Sequence, residues 1–464
     1  MEPEMDTAER LIRKVVDACA DCDICRNLMD TNCLFFPTMY KLWDREQEGG
    51  ASITPQELRS LADLCNYCAL CPCPNIREDI ITAKTLFIDR DGLNPFIRTL
   101  EDVERVGKLC AAVPWLSNAI LQGKLTSKLI KKTAGIHIKR KLPSIPDENF
   151  PTLANRKKLN EKAPAGTNRK VAYFAGCTAR YIFPQVANTA VDVLQRNNIT
   201  VYYPDQNCCG MPSMLEGDRD TTLMFAQRTI HVLNEVVKEG YDVICSCPTC
   251  GYMLKTVFRR GAYYAKEYQD LVGGSQRYMK IPDTVTNGTV EERPYRLLDK
   301  STYGNILKDD GYFSGIDPLK RIRVAENTYD LGQYLLNLHR DGKLDDRLGP
   351  VAGKMLYYPP CHQREQGIGA PYQELLALIP EISIERIKST TYCCGIAGIM
   401  GFKRDFHHAS MQMGRGLMEK IKSIDPDQLV TDCLSCRLQF NQMSNYPVNH
   451  PIEILLKAYH RARR

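Results

Sequence analysis

Twenty cysteines, gathered into three blocks, constrain this chain more than any other feature of its sequence. The first block contains Cys19, Cys22, Cys25, Cys33, Cys65, Cys68, Cys71 and Cys73. The second contains Cys177, Cys208, Cys209, Cys245, Cys247 and Cys250, and the third contains Cys361, Cys393, Cys394, Cys433 and Cys436. Only Cys110 stands apart. Cysteines in such numbers can form disulfides, bind metal or fill a core.

The amino terminus bears on which of these roles applies. Residues 1–16 carry four acidic side chains and no apolar stretch, so no secretory signal is expected. No run of eighteen apolar residues predicts a membrane span. We therefore expect a cytoplasmic chain, or one bound peripherally to the cytoplasmic face of the membrane. Thiols stay reduced in the cytoplasm, which favours metal ligation. The net charge of +6 is small for 464 residues and does not indicate a nucleic-acid partner.

The second and third blocks are two copies of one unit. The offset is 184 between Cys177 and Cys361, 185 for both members of each adjacent pair, and 186 for both members of each C-x2-C pair. A register this close over five positions indicates an internal duplication.

Short apolar runs precede the cysteines of each copy and predict buried strands. These runs are 170–176 and 241–244 in the first copy, and 353–358 and 428–431 in the second. Helical patterns at 187–196 and 221–237 lie between the runs of the first copy. Alternating strands and helices predict an α/β sheet with its cysteines at the carboxyl ends of the strands, where such sheets place their sites.

Two cysteine triplets in the first block are typical of a bacterial ferredoxin. They are Cys19-x2-Cys22-x2-Cys25 and Cys65-x2-Cys68-x2-Cys71. Iron in a cluster prefers thiolates brought to one point by a short loop, and a fourth cysteine followed by proline ligates the other cluster. The candidates are Cys73, before Pro74, and Cys33, although their spacings of one and seven residues depart from the usual three. We expect one cubane [4Fe-4S] cluster on Cys19, Cys22, Cys25 and Cys73, and another on Cys65, Cys68, Cys71 and Cys33.

Each copy of the repeat carries the pattern Cys…Cys-Cys-Gly…Cys-x2-Cys. The candidate iron ligands are Cys177, Cys208, Cys209, Cys247 and Cys250 in the first copy, and Cys361, Cys393, Cys394, Cys433 and Cys436 in the second. Adjacent cysteines cannot face the same way on a strand, so they suit a turn, and Gly210 and Gly395 allow the backbone to pack closely there. Five thiolates exceed what one cubane cluster or one tetrahedral zinc requires.

These motifs resemble the B and D subunits of heterodisulfide reductase, which share the double Cys-Cys-Gly pattern. The C subunits of anaerobic glycerol-3-phosphate dehydrogenase resemble the chain still more, because they have the same order of ferredoxin-like and cysteine-rich domains. The resemblance covers about residues 15–95 and 168–460. It is carried by the sequences at 327–331, 359–364, 393–398, 401–403 and 430–436.

The resemblance implies the iron–sulfur electron-transfer subunit of an anaerobic respiratory oxidoreductase complex. A flavoprotein dehydrogenase or another redox subunit would supply electrons, and this chain would relay them toward the quinone pool. The sequence lacks the Gly-x-Gly-x-x-Gly fingerprint of a nucleotide-binding subunit, which places the flavin on a separate chain. In heterodisulfide reductase such a five-cysteine motif holds a noncubane [4Fe-4S] cluster that cleaves a disulfide. The resemblance thus implies one or two further [4Fe-4S] clusters, cubane or noncubane.

Two alternatives to electron relay stay open at this point. The chain could be a catalytic subunit that itself reduces a disulfide at a noncubane cluster. It could also be a scaffold with structural zinc, although zinc would need two cysteine pairs per site rather than two triplets.

The chain is predicted to divide into residues 1–95 (ferredoxin-like), 96–168 (linker), 169–345 and 346–464 (the two Cys-Cys-Gly domains), and to form a mixed α/β fold with a helical first part. Residues 252–317 are interpreted as a tyrosine-rich insertion. Residues 142–168 are expected to be extended. Cys110 is expected to be a core thiol and Cys245 to pack at a strand end. His362, His407 and His408 could donate protons near a cluster, but we expect them to be ordinary surface or capping histidines.

Residues 105–146 contain no acidic side chain. In this stretch Leu125, Leu129 and Ile130 alternate with Lys124, Lys128, Lys131, Lys132, Lys139, Arg140 and Lys141. The pattern fits either a solvated face or an interfacial helix over 124–141 that docks on a membrane or a partner subunit.

Overall fold

Every regular element described in residues 5–91 is a helix. The structure, a computed structural model, describes residues 5–30, 33–68, 70–283, 294–388 and 392–462. The helices of this part are α1 (Thr7–Cys22), α2 (Ile24–Leu28), α3 (Phe35–Gln47), α4 (Pro55–Leu64) and α5 (Pro74–Asp91). They enclose one apolar core, to which α1 contributes Ile12, Val15 and Val16 at helical spacing.

The helix boundaries of this part position its cysteines. Thr54 and Glu57 form a capping box that begins α4, and the helix ends at Leu64, just before Cys65. Pro74 begins α5, which makes Cys73 the N-cap residue. Helix α1 packs along both α4 and α5, and Cys19 in its last turn lies near Cys73 at the beginning of α5.

Residues 96–168, predicted to be a linker, form helices that pack on the rest of the protein. The helices are α6 (Pro95–Glu101), α7 (Val103–Ala112), α8 (Pro114–Gln122), α9 (Thr126–Thr133) and α10 (Phe150–Arg156). The expectation of an extended chain over 142–168 was wrong for α10, because Phe150 and Ala154 are fully buried in the core of the repeats. A Cβ at Gly107 of α7 would lie 2.6 Å from Cγ of Tyr181, which shows how closely this helix packs. The predicted domain boundaries stay a prediction.

Each repeat contributes a four-stranded sheet in which every strand pair is parallel. The first sheet consists of β1 (Lys170–Phe174), β2 (Thr200–Tyr202), β3 (Asp242–Cys245) and β6 (Thr328–Asp330). The second consists of β7 (Gly353–Tyr357), β8 (Ile382–Arg386), β9 (Gln428–Val430) and β10 (Val448–Asn449). Strands β4 (Tyr278–Pro282) and β5 (Tyr295–Asp299) pair antiparallel outside both sheets. The sheet orders, β2-β1-β3-β6 and β8-β7-β9-β10, are the same when the repeats are aligned. The mixed α/β fold, its helical first part and the four predicted strands are confirmed.

The helices of the repeats alternate with these strands. In the first repeat they are α11 (Gly176–Tyr181), α12 (Pro184–Arg196), α13 (Met211–Glu216), α14 (Arg219–Lys238), α15 (Pro248–Tyr252), α16 (Lys266–Leu271), α17 (Lys300–Tyr303), α18 (Pro318–Glu326) and α19 (Leu331–Arg340). In the second they are α20 (Cys361–Arg364), α21 (Pro371–Leu376), α22 (His407–Ile424), α23 (Leu434–Met443) and α24 (Pro451–Arg461). One hydrophobic core joins both repeats and contains Tyr173 and Tyr357 at matching positions.

The predicted insertion separates β3 from β6. It contains a π-helical turn at Met253–Val257, the β4–β5 hairpin, and helices α16 and α17. Its first residues, including Met253 and Phe258, belong to the core of the first repeat, so the inserted part begins later than residue 252. Among the helices of the described residues, none combines the length and apolarity needed to cross a membrane.

Candidate metal sites

The first amino-terminal site consists of Cys19, Cys22, Cys25 and Cys73. The first three come from the end of α1 and the beginning of α2, and the fourth from the N-cap of α5. Burial raises the pKa of Cys19 to about 12, and the neighbouring thiolates of Cys25, Cys73 and Cys22 add to the effect. The structure therefore brings Cys73 to the first triplet.

The second amino-terminal site consists of Cys33, Cys65, Cys68 and Cys71, which line one small cavity with Tyr67 and Arg77. Burial, followed by the neighbouring Cys65 and Cys68 thiolates, raises the pKa of Cys71 above its ordinary value. Burial, followed by the charge of the Cys68 thiolate, also raises the pKa of Cys33 above its ordinary value. The structure thus brings Cys33, which precedes α3, to the second triplet.

The first Cys-Cys-Gly site consists of Cys177, Cys208, Cys209, Cys247 and Cys250, all buried at the carboxyl ends of β1, β2 and β3. The Cys208 thiol donates to Sγ of Cys177 over 3.7 Å. Hydrogen bonds from Cys208 and Cys250 lower the pKa of Cys209 to about 6. An acidic thiol is present as thiolate at neutral pH, the form that binds metal.

The second Cys-Cys-Gly site repeats this arrangement with Cys361, Cys393, Cys394, Cys433 and Cys436 at the ends of β7, β8 and β9. The Cys436 thiol donates to Sγ of Cys394 over 3.1 Å. Hydrogen bonds from Cys393 and Cys436 lower the pKa of Cys394 to about 6, as for Cys209 in the first repeat. Cys361 is the one member that is half-buried.

The glycine directly after each pair of adjacent cysteines determines the turn of the backbone there. Gly210 and Gly395 have φ values of +86° and +88°, in the left-handed region that glycine adopts without strain. A Cβ at Gly395 would lie 2.2 Å from the carbonyl oxygen of Ser410, so a side chain cannot fit. This turn allows the Gly395 N–H to donate to Sγ of Cys393 over 3.3 Å.

The second amino-terminal site lies against the second Cys-Cys-Gly site. A hydrogen bond with Cys393 is the main cause that raises the pKa of Cys68 well above its ordinary value. The Cys68 thiolate also acts on Cys361, whose pKa burial raises to about 12. Cys68 and Cys393 are therefore neighbours, and the 3.0 Å hydrogen bond between His362 Nε2 and the Tyr67 carbonyl joins the loops on either side.

The donor set fits iron–sulfur clusters. All twenty cysteines lie within the described residues and are free thiols. Among the described residues, no group of three or more His, Cys, Asp or Glu side chains already has the geometry of a metal site. Arg77, which is 3% exposed, pairs with Glu365 over 2.9 Å but leaves Nε and Nη1 without a partner. Its charge lowers the pKa of Cys71, Cys65 and Cys68 against the larger effect of burial. Buried cationic donors beside thiols suit an anionic cluster.

Two further arginines have the same character at the second Cys-Cys-Gly site. Nη2 of Arg364 is buried without a partner near Cys361 and Cys393. Arg140 is 1% exposed and donates one hydrogen bond of 2.6 Å to Gln439, while Nε and Nη2 have none. Burial lowers the pKa of Arg140 to about 10, and the nearby Cys394 thiolate opposes this effect.

The expected interfacial helix over 124–141 was wrong in its extent. Helix α9 covers only Thr126–Thr133, and the chain then crosses to the second repeat, where Ile136 pairs with Lys403. Lys141 Nζ donates to the carbonyl of Asn441 over 2.8 Å, and Arg140 is buried. Of the seven predicted surface charges, Arg140 and Lys141 therefore serve contacts within the protein.

The two remaining cysteines and two of the histidines can be compared with the roles expected from the sequence. Cys110 is half-buried rather than a core thiol, because α7 turns it toward Ser117 near the surface. Cys245 is fully buried at the end of β3, as expected. His362 and His407 are not surface histidines, since they are 8% and 3% exposed. His407 stacks on His137 with ring centroids 4.1 Å apart.

His362 and the three arginines are site residues that the sequence did not reveal. His362 follows Cys361 directly, which is the only signal it offers. Burial lowers the pKa of His362 to about 4, so its ring is neutral at pH 7. Arg140 stands among six lysines, and nothing in the sequence distinguishes the buried cation from its exposed neighbours.

Comparison with known proteins supports this description. The family profile of the Cysteine-rich domain (CCG) matches residues 171–255 and 355–441. The C subunit of anaerobic glycerol-3-phosphate dehydrogenase from Escherichia coli K12 is 25% identical over 371 residues, which cover 80% of this chain and 78% of that protein. The B subunit of fumarate reductase (CoM/CoB) from Methanothermobacter marburgensis is 23% identical over 62% of this chain and 46% of its own length.

A shorter relative matches over almost its full length. Lactate utilization protein A 2 of Bacillus cereus strain AH820 is 21% identical over 62% of this chain and 98% of its own length. Each matched range contains three strands of one four-stranded parallel sheet and all five of its thiols. The chain therefore contains two CCG cysteine-rich domains and is homologous to the C subunit of anaerobic glycerol-3-phosphate dehydrogenase and to the B subunit of fumarate reductase (CoM/CoB).

Proposed function

We propose that this chain is the iron–sulfur electron-transfer subunit of an anaerobic respiratory oxidoreductase complex. A flavoprotein dehydrogenase supplies the electrons, and the chain passes them toward the quinone pool. The observation that carries the proposal is the 3.0 Å hydrogen bond between His362, next to Cys361, and the carbonyl of Tyr67, next to Cys68, which holds the second amino-terminal site against the second Cys-Cys-Gly site. Two redox sites in contact form a path for single electrons.

Four sets of cysteines would hold the clusters. The two amino-terminal sets would each hold a cubane [4Fe-4S] cluster, and each Cys-Cys-Gly set would hold a further [4Fe-4S] cluster. When bound, such clusters supply reversible one-electron oxidation and reduction.

The protein's own residues tune these sites in three ways. Burial of the Cys-Cys-Gly thiols excludes water, with each of Cys208, Cys209 and Cys394 less than 5% exposed. Backbone N–H groups donate to sulfur at Cys393 and at Cys433, over 3.3 and 3.4 Å. Buried arginines add positive charge. All three factors set cluster potential.

The exposure of the cysteines supports an order for the relay. Cys22 and Cys73 of the first amino-terminal site are exposed, so a partner protein can approach this site closely. The second amino-terminal site is less exposed and touches the second repeat. Electrons would enter at the first site and leave through the repeats.

A second candidate is a catalytic subunit that reduces a disulfide at a noncubane cluster. The observation that favours it is the fifth buried thiol in each Cys-Cys-Gly site, which one cubane cluster does not need. The same homology supports it, because one relative is named for CoM/CoB.

The localisation we propose is peripheral, on the cytoplasmic face of the membrane. Helices α7 to α9 expose Leu109, Trp115, Leu125 and Leu129 by 63 to 80% of their surface. Exposed Lys124, Lys128 and Lys132 lie among them. Large exposed apolar side chains flanked by lysines are typical of a surface that binds anionic lipid.

The proposal is tested by removing single thiols. Cys394→Ser or Cys393→Ser should abolish electron delivery from the flavoprotein to the acceptor while the amino-terminal clusters stay reducible, since the repeats lie downstream. Cys110→Ser, which removes a thiol from α7 outside all four sites, is the matched control and should retain activity. Full turnover in the Cys394→Ser variant would contradict the proposed path.

A further inference from the structure

His362 lies where loops of three cysteine sites meet. It follows Cys361 of the second Cys-Cys-Gly site. Its Nε2 lies 3.0 Å from the carbonyl oxygen of Tyr67, which stands between Cys65 and Cys68. Its Nδ1 lies 3.0 Å from Oγ1 of Thr249, which stands between Cys247 and Cys250 of the first Cys-Cys-Gly site. One imidazole ring therefore touches three ligand loops.

The partners define the state of the ring. A backbone carbonyl can only accept a hydrogen bond, so Nε2 carries the ring proton and donates a hydrogen bond to the Tyr67 carbonyl oxygen. In the neutral ring, Nδ1 then accepts from the Thr249 hydroxyl. Both nitrogen atoms are used, and the tautomer is fixed by residues from two different parts of the chain.

The surrounding residues hold this junction in place. The His362 ring stacks on Tyr252 with centroids 5.0 Å apart and planes 19° apart. The Gln366 side chain donates to the carbonyl oxygen of Pro248 over 3.0 Å and so links α15 to the segment after α20. Tyr67 adopts φ +54°, a conformation that residues with side chains rarely take. The contact with His362 is thus kept at a position where the backbone is strained.

The duplication shows that this contact is not a general property of the repeat. The position that matches His362 in the first repeat is Thr178, and the position that matches Thr249 in the second is Ser435. Helices α11 and α23, which carry these two residues, also contact each other. The histidine therefore occurs in the copy that faces the second amino-terminal site.

We propose that His362 is a positioning residue that holds the second amino-terminal site against both Cys-Cys-Gly sites, so that electrons divide there between the two repeats. The proposal rests on the proposed function. One electron leaves the amino-terminal site, which is oxidised, and enters either repeat site, which is reduced. No bond forms or breaks, and the proton stays on Nε2. The flavoprotein is the donor, and the quinone or disulfide is the acceptor.

The test uses the full-length protein, purified anaerobically with its clusters. His362→Leu removes both hydrogen bonds, and Thr249→Ala removes one. His362→Gln is the conservative variant, because its amide provides one donor and one acceptor. Ser435→Ala removes a hydroxyl from the matching loop of the second repeat and is the control.

Two readouts separate positioning from stability. The first is the magnetic interaction between reduced clusters in the EPR spectrum. The second is the time in which one electron, supplied by substoichiometric dithionite, distributes between the amino-terminal sites and the repeats. We expect His362→Leu and Thr249→Ala to weaken the magnetic interaction between the clusters and to slow the electron distribution roughly tenfold or more. This is the size of effect that losing a hydrogen-bonding partner around a metal site typically has. His362→Gln and Ser435→Ala should match the parent protein.

Each outcome decides the matter. If His362→Leu fails to assemble its clusters, Thr249→Ala with full iron content provides the measurement. Unchanged EPR interaction and unchanged distribution time in Thr249→Ala and in any loaded His362→Leu would overturn the inference while leaving the proposed function intact. A parent protein without iron in the repeats would contradict the proposed function and this inference together.

Discussion

Buried guanidinium groups are the residue-scale feature that links this fold to its chemistry. Taking an arginine out of water costs several kcal/mol unless an opposite charge or hydrogen bonds compensate. Arg140 has one hydrogen bond to a neutral amide and a cation–π contact with Phe402 at 4.4 Å. These contacts do not neutralise its charge. The Cys394 thiolate opposes the effect of burial, but burial still lowers the pKa of Arg140, so the charge is only partly compensated.

Arg140→Gln should therefore lower the reduction potential of the second Cys-Cys-Gly site. A positive charge favours the reduced, more negative state of a cluster, so its removal makes reduction harder. We expect a shift of about 60 mV, a tenfold change for one electron. A redox titration followed by EPR measures it. Arg386→Gln, at the exposed end of β8, is the control and should not shift the potential. An equal potential in Arg140→Gln and the parent would show that Arg140 does not face the cluster.

At the scale of elements, the sequence predicted the strands better than the linker. Strands β1, β3, β7 and β9 were predictable because a short apolar run ends at a cysteine in both copies. Helix α10 was not, because prolines at 143, 146, 151 and 164 indicate an extended chain. Pro151 instead lies in the first turn of the helix, where its missing N–H costs nothing.

Helix α9 should bind anionic lipid through its exposed lysines. Each lysine near such a surface contributes about 1 kcal/mol, so the loss of Lys128 and Lys132 should weaken binding roughly 30-fold, and reversed charge should weaken it further. The measurement is co-sedimentation of Lys128→Glu with Lys132→Glu on anionic vesicles at low and high salt. Binding of the parent should fall as salt rises, because exposed charges are screened.

The matched control for this experiment is the pair Lys420→Glu and Lys422→Glu on α22, which makes the same change in net charge on the second repeat. This pair should sediment like the parent. If both double variants sediment alike, α9 does not dock on the membrane, and the exposed leucines would then fit a partner subunit instead.

At the scale of the whole molecule, the structure joins three parts of the chain that are far apart in sequence. Residues 67, 249 and 362 meet at one ring, and Cys68 meets Cys393. The triplets and the C-x2-C pairs were predictable from spacing, because their members lie close in sequence, whereas the pairing of Cys73 and Cys33 with distant triplets rested on the ferredoxin pattern. The contacts between sets were not, because they depend on how α15, α20 and the loop after α4 pack. The same limit applies to Arg77 and Arg140.

The central claim is that four cysteine sets hold four clusters. It is tested most directly by iron and acid-labile sulfide analysis of anaerobically purified protein, with zinc measured in the same sample. The account predicts about sixteen irons per chain, four for each [4Fe-4S] cluster. About eight irons would show that the repeats hold no cluster, and zinc in place of iron would contradict the account as a whole.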